Sequence, residues 1–157
     1  MLTIPTNTDK LDSQTVAALY NTDLFAWASL NAELLRDGKY QKVDMAHLIE
    51  EIEDMGKSEQ RSLASHLRNL LMHLLKWQYQ ADIGSRSWQS SIINARLEIA
   101  RLLKDSPSLN RKLFEMLNEE YAAARRLASV ETTLPIQTFP EVCTYQLDQI
   151  LSEDWLP

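Results

Sequence analysis

The amino-acid sequence predicts an all-α protein, a compact bundle of five to six helices. Three observations carry that expectation. Apolar residues recur three and four apart through nearly every long segment. Only 3 Gly and 5 Pro interrupt 157 residues, so obligatory turns are few. No stretch alternates apolar and polar residues with period two over a useful length, which leaves no candidate for a sheet. The length suits a single domain over 1–157 with a sizeable core, residues 1–12 forming a polar, flexible arm.

A short helix is expected over Ser13 to Tyr20. Asn21, Thr22 and Asp23 supply an N-cap for a second, reaching Arg36, with Leu24, Trp27, Ala28, Leu34 and Leu35 as its apolar stripe. Asp37-Gly38 ends it, because glycine adopts the left-handed stop conformation without strain. Asp44 caps the next helix, whose apolar side is Met45, Leu48, Ile49, Ile52 and Met55. Gly56 is either a stop or a weak point in one long helix, and Ser58 as a usable cap favours a break into two segments in loose continuity, the second running to about Gln80. In that helix HLRNLLMHLLKWQ (66–78) is the most concentrated apolar stripe of the chain.

Asp82, Gly84 and Ser85 mark a loop, after which Ser87 caps a helix carrying Trp88, Ile92, Ala95, Ile99, Leu102 and Leu103. Ser106-Pro107 predicts a restart with serine as cap and proline in the first turn. That helix carries Leu109, Leu113, Met116, Leu117, Ala124 and Leu127, and ends at Thr132, Thr133 and Pro135. Phe139-Pro140 opens a last short helix toward Leu151, with Trp155 and Leu156 tucking the tail onto the body.

The formal net charge is −6, and an acidic surface repels phosphate backbones, which disfavours nucleic acid as a partner. The lone Cys143 excludes an intramolecular disulfide and a cysteine-based zinc cluster. The first twelve residues lack a basic leader and an apolar stretch and do not read as a secretion signal, and no apolar run approaches membrane-spanning length. The expectation is a cytoplasmic protein away from membranes. A Gly-rich phosphate loop, G-x-S-x-G, H-E-x-x-H and C-x-x-C are all missing from the sequence, so no reaction is legible.

Several polar residues fall on apolar faces. Asn31 lies near the centre of its stripe, Arg96 within roughly 50° of the Ile92–Ile99–Leu103 line, and Glu120 near the middle of the Leu113–Met116–Leu117 stripe, which Glu131 extends. Buried charges cost several kcal/mol unless paired. The expected arrangement is a network in which Arg96 bridges Glu120 or Glu131 and Asn31 satisfies leftover donors. It reads as an interhelical register pin, a cluster near a helix end or interface, or a pocket. His47, Glu50, Glu51 and Asp54 share one side of a helix and read as a solvated acidic face rather than a metal site.

His66 and His73 lie two turns apart, about 10 Å, too far for one metal ion. His73 beside Trp77 is the better pocket candidate, or else a partly buried histidine donating to a carboxylate. Arg86, Ser87 and Trp88 offer a guanidinium, a hydroxyl and an aromatic at a helix start, which suits an anion and equally suits ordinary capping.

Several stretches together resemble a bacterial family, domain of unknown function 29, abundant in cyanobacteria. They are Asp23 to Trp27, LLRDGKY (34–40), LIEEIEDMG (48–56), HLRNLLMHLLKWQ, SRSW (85–88) with Arg96, SPSL (106–109), Glu131-Thr132 and FPEVCTYQLDQIL (139–151). Trp27, Glu50, Glu51, Glu53, Gly56, His73, Trp77, Ser87, Trp88, Arg96, Glu131 and Thr132 fall on positions that look like the family pattern, while Asn31 stands where a glutamine is expected. The resemblance implies an all-helical single domain and brings no activity or cofactor.

The reading that results is a non-enzymatic interaction or regulatory module with a protein partner or a second copy of itself, and with neither cofactor nor metal. Its rivals are a metal-assisted or acid/base enzyme built on His73 and Glu51, and an anion or nucleic-acid binder around Arg86 and Trp88.

Overall fold

The computed structural model describes residues 12–80 and 86–157. The arm up to residue 11 and the loop at Asp82, Gly84 and Ser85 lie outside the described residues. The protein is all-α: six α-helices and two 3₁₀ turns, with no strand among the described residues. They are α1 (Ser13–Tyr20), α2 (Leu24–Arg36), α3 (Met45–Tyr79), α4 (Arg86–Asp105), α5 (Leu109–Thr132) and α6 (Leu147–Leu151). The chain divides into two compact units, Met1–Gly56 and Lys57–Pro157, each described by itself below.

In the first unit the helix ends follow the sequence. Asp12 caps α1 by accepting from the Thr15 amide at 2.8 Å, and Asp23 caps α2 by accepting from the Ala26 amide at 2.9 Å. Gly38, at φ +70°, closes α2 as expected. The Lys39 amide reaches Leu34 O and the Gly38 amide reaches Leu35 O, which satisfies the last carbonyls. The core here is Val16, Trp27, Leu30, Leu34 and Val43, with Leu19, Tyr20, Leu35 and Leu48 at its margin.

Two expected stripes are rotated. On α2 the buried line runs through Trp27, Leu30, Asn31 and Leu34, while Leu24 and Ala28 are exposed. Of the apolar stripe expected on the first turns of α3, Leu48 is half-buried, and Met45, Ile49, Ile52 and Met55 are exposed. The cause is where the neighbours land. They contact α3 at Asp44, His47 and Glu51, roughly a quarter-turn from the apolar stripe.

The expected break at Gly56 does not occur, since α3 is one helix of 35 residues. A lone glycine costs about 1 kcal/mol against alanine in a helix. The strong helix formers on both sides, Met55 and Lys57 to Arg61, carry it, and Ser58 stays inside the helix.

The second unit is built on leucine. Leu63, Leu67, Leu70, Leu71, Leu74 and Leu75 of α3 pack with Ile92, Ala95, Ile99 and Leu102 of α4 and Leu113, Tyr121 and Ala124 of α5. Leu127 falls outside this core, because α5 buries Ala124 and Ala128 instead. α4 starts at Arg86, which puts Ser87 in its first turn rather than at its cap. α5 starts at Leu109, since Ser106 and Pro107 form a turn in which the Leu109 amide reaches Ser106 O at 3.0 Å. The Ser106 hydroxyl donates to Glu59 instead of capping α5.

Thr133 follows α5 in the left-handed region at φ 61°. Phe139-Pro140 opens no helix. Phe139 is a core residue, and its carbonyl and that of Pro140 accept from Arg125 Nε and the Tyr121 hydroxyl, both at 2.9 Å. These bonds tie the segment to α5, and α6 forms only at Leu147. Trp155 and Leu156 pack on the core as expected.

Candidate functional site

The polar residues assemble into separate clusters rather than one network. In the first unit the hub is Asp44, the residue before α3. Its carboxylate accepts from Trp27 Nε1 at 2.9 Å and sits 2.6 Å from His47 Nδ1, and its other oxygen accepts from the His47 amide at 3.4 Å. Burial pushes the Asp44 carboxyl up, but the Trp27 and His47 hydrogen bonds outweigh it and hold the group below its usual range.

Asn31, 1% exposed, spans this hub and α2. Its amide donates to Trp27 O at 2.8 Å, and its Oδ1 accepts from the Asp44 amide at 2.9 Å. Tyr20 stacks on His47 with ring centroids 4.0 Å apart, and its hydroxyl donates to Glu51 at 2.7 Å. That bond, with burial, pushes the Tyr20 hydroxyl up to about 12. The face expected to be a solvated acidic surface is therefore covered along its His47–Glu51 edge.

In the second unit Arg96 pairs with neither Glu120 nor Glu131. Its guanidinium donates to three backbone carbonyls of the C-terminal segment: Ile150 at 2.9 Å, Glu153 at 3.2 Å and Trp155 at 2.7 Å. Burial pulls it below the usual arginine range, and Glu153 opposes that. The pairing failed because carbonyls, invisible to a side-chain reading, compete for arginine donors as well as carboxylates do.

Glu120 instead accepts from Arg68 Nε at 2.7 Å, and Glu131 from Lys76 Nζ at 2.5 Å. Lys76, only 6% exposed, also sits 4.5 Å above the Trp88 ring. His73 faces the same charges. Burial, aided by Lys76 and opposed by Glu131, pushes its imidazole below the usual range. It is 9% exposed, and its Nδ1 is buried with no hydrogen-bond partner, so the expected carboxylate bond is not made there. Trp77 packs against the leucine core.

Glu51 belongs to the Tyr20 cluster of the first unit, and His73 to the Lys76–Glu131 cluster of the second. Among the described residues no group of three or more His, Cys, Asp or Glu side chains is placed to hold a metal ion. Of the anion-binding candidates, Arg86 and Ser87 are exposed at the start of α4, and the Trp88 face already carries the Lys76 ammonium. Cys143 is half-buried, and burial raises its thiol, which suppresses nucleophilic thiolate.

The family described as Domain of unknown function DUF29 matches residues 19–156. The chain belongs to the DUF29 family. No curated protein and no solved structure matches it. The matched span contains α2 to α6 whole, and so includes the Asp44 hub, the Arg96 clasp and the His73–Lys76 cluster of this DUF29 chain. No described helix is long and apolar enough to cross a membrane.

The second unit of the DUF29 chain carries concavities among its described residues. One of about 330 Å³ is lined by Lys57, Arg61, Met116 and Glu120, and one of about 300 Å³ by Ile93, Arg96, Leu97 and Glu153. Each mixes both signs of charge. The strongest unspent feature lies elsewhere, on the first three turns of α3. There Ile52 is 61% and Met55 70% exposed, in line with Met45 and Ile49. Sequence reading found these residues and assigned them to the core.

Proposed function

We propose that this DUF29 chain is a non-enzymatic module of the cytoplasm that works by docking a protein partner, in an interaction or regulatory role. The observation that carries the reading is the apolar line Met45, Ile49, Ile52 and Met55. It runs along one side of a helix that the Asp44 and Tyr20 bonds fix roughly a quarter-turn away, and it belongs to neither core. Monomeric proteins seldom leave such a line uncovered on a rigid element. Phe25 and Leu24 on α2 add further exposed apolar surface to the same unit.

A photo-crosslinking residue placed at Ile52 in cells tests this, with exposed Asn94 of α4 as the control position. One discrete protein adduct from position 52 that is missing from position 94 is the expected result. Identical patterns from both positions would overturn the proposal.

A further inference from the structure

We infer that α3 carries a hinge at Gly56, where the long helix opens transiently and bends between the two units. Three circumstances ordinarily call for glycine: a positive φ, a helix stop, or the close approach of another segment. Gly38 meets the first two, at φ 70° just past the end of α2. Gly56 meets none of them. Its φ is negative, the helix runs on to Tyr79, and no atom beyond its own stretch of helix lies within 4 Å of where a Cβ would stand. What glycine does at this position is loosen the backbone, because it has more conformational freedom to lose in a helix than any other residue.

The surroundings leave that weakness uncorrected. Every residue from Ile52 to Ser58 is exposed, so about two turns of α3 are bare on all sides. A helix in a protein holds mainly through an apolar face packed on a neighbour, and these turns bury none. Glu53, Asp54 and Lys57 each engage a partner, but exposed side-chain contacts stabilise a helix only weakly. Ser58 adds a hydroxyl that competes for helical carbonyls.

On either side of the bare turns the helix is anchored. Asp44 and Glu51 fix its start through Trp27 and Tyr20, while Leu63 and Leu67 enter the leucine core further on. The chain divides into its two compact units between Gly56 and Lys57, inside the bare turns. A bend there gives up a few backbone hydrogen bonds that water replaces, and it breaks no core contact. Each unit keeps its own packing while the axis of α3 changes direction. The hinge is independent of the docking reading, since it depends on the backbone of these turns and not on what covers the apolar line, which ends at Met55.

Hydrogen exchange and pulsed electron spin resonance on the full chain test the hinge together. The amides of Lys57, Ser58 and Glu59 close the helical bonds that span Gly56, and they should exchange faster than those of Leu70 and Leu71. Gly56→Ala should slow them about fivefold. Spin labels on exposed Ser29 of α2 and Asn94 of α4, in a Cys143→Ser chain, read the motion itself. Labels on Asn94 and exposed Glu119 of α5 give the reference within one unit. The separations from Ser29 to Asn94 should spread more widely than the reference. Gly56→Ala should narrow that spread, and Gly56→Ala with Ser58→Ala should narrow it further.

A spread no wider than the reference in the chain that keeps Gly56 would overturn the hinge. A wide spread that neither substitution narrows would overturn it too, as would amides at Lys57 to Glu59 protected as well as that of Leu70. Alanine is the strongest helix former, so both variants should fold, with a melting temperature no lower than that of the parent.

Discussion

The two units of this chain are held together by different physics. In Lys57–Pro157 six buried leucines of α3 mesh with α4 and α5, and Phe139, Tyr145 and Ile150 extend the same core into the C-terminal segment. In Met1–Gly56 the core cluster among the described residues is Val16, Trp27, Leu30, Leu34 and Val43, and directional bonds complete it. Asn31 ties α2 to the start of α3, Asp44 ties the indole of Trp27 to His47, and Tyr20 reaches Glu51. A small core specifies register weakly, since many apolar arrangements bury similar area. A buried amide with both ends satisfied permits only one, so polar side chains here do what volume does in the larger unit.

The largest effect that would break this contrast lies in the leucine-rich unit. Arg96→Ala removes three hydrogen bonds to the C-terminal segment and leaves their carbonyls short of donors. Urea unfolding should show a loss of about 3 kcal/mol. Arg96→Lys should recover only a minor share, because an ammonium cannot reproduce the planar fork. A loss near zero would mean that water replaces the clasp at no cost.

Next in size is Asn31→Leu, expected to cost about 2 kcal/mol although it adds apolar volume. Hydrogen exchange should then lose its protection at the Asp44 amide, which Asn31 accepts from. Equal stability would show that the first unit needs volume rather than direction.

The two units should also part company with pH. His73 in the second unit has a depressed pKa, so the unfolded chain binds the proton more readily. Its contribution is complete above about pH 6.5 and is lost as the pH falls from there toward the folded value. Asp44 in the first unit also has a depressed pKa, and its contribution is kept down to about pH 4 and lost below. Amide signals of the second unit should therefore weaken first on acidification. His73→Leu should flatten the upper phase and leave the lower one in place.

The smallest effect is spectroscopic. Glu51→Gln should return the Tyr20 hydroxyl from about 12 toward 10 in a tyrosine-labelled titration. An unmoved Tyr20 would show that the hydrogen bond to Glu51 does not persist in solution.

Sequence reading caught what depends on neighbours along the chain and lost what depends on neighbours across it. Asp23, Gly38 and Thr133 act locally, and the ends of α2 and α5 were legible from them. Gly56 is a local breaker that long-range continuity overrode. Asn31, Arg96 and Glu120 were rightly found to be buried polar residues, because helical period alone places a side chain on a face. Their partners were missed, since Arg68 lies 52 positions from Glu120, and the acceptors of Arg96 are main-chain atoms with no residue signature.

The Asp44 hub was half visible. The capping role was readable, but the approach of Tyr20 and Trp27 was not. The exposed line on α3 was misassigned because an apolar periodicity tells which side of a helix avoids water, and not whether this chain supplies the cover.

The placement of the indoles has a practical consequence. Of the 4 tryptophans, Trp27 alone stands in Met1–Gly56, with its ring N–H committed to a buried carboxylate, while Trp77, Trp88 and Trp155 stand in Lys57–Pro157. A proton spectrum of the indole region thus carries one resonance that watches the smaller half of the molecule. The remaining three watch the larger half, and the melting of each can be timed without any dye or tag.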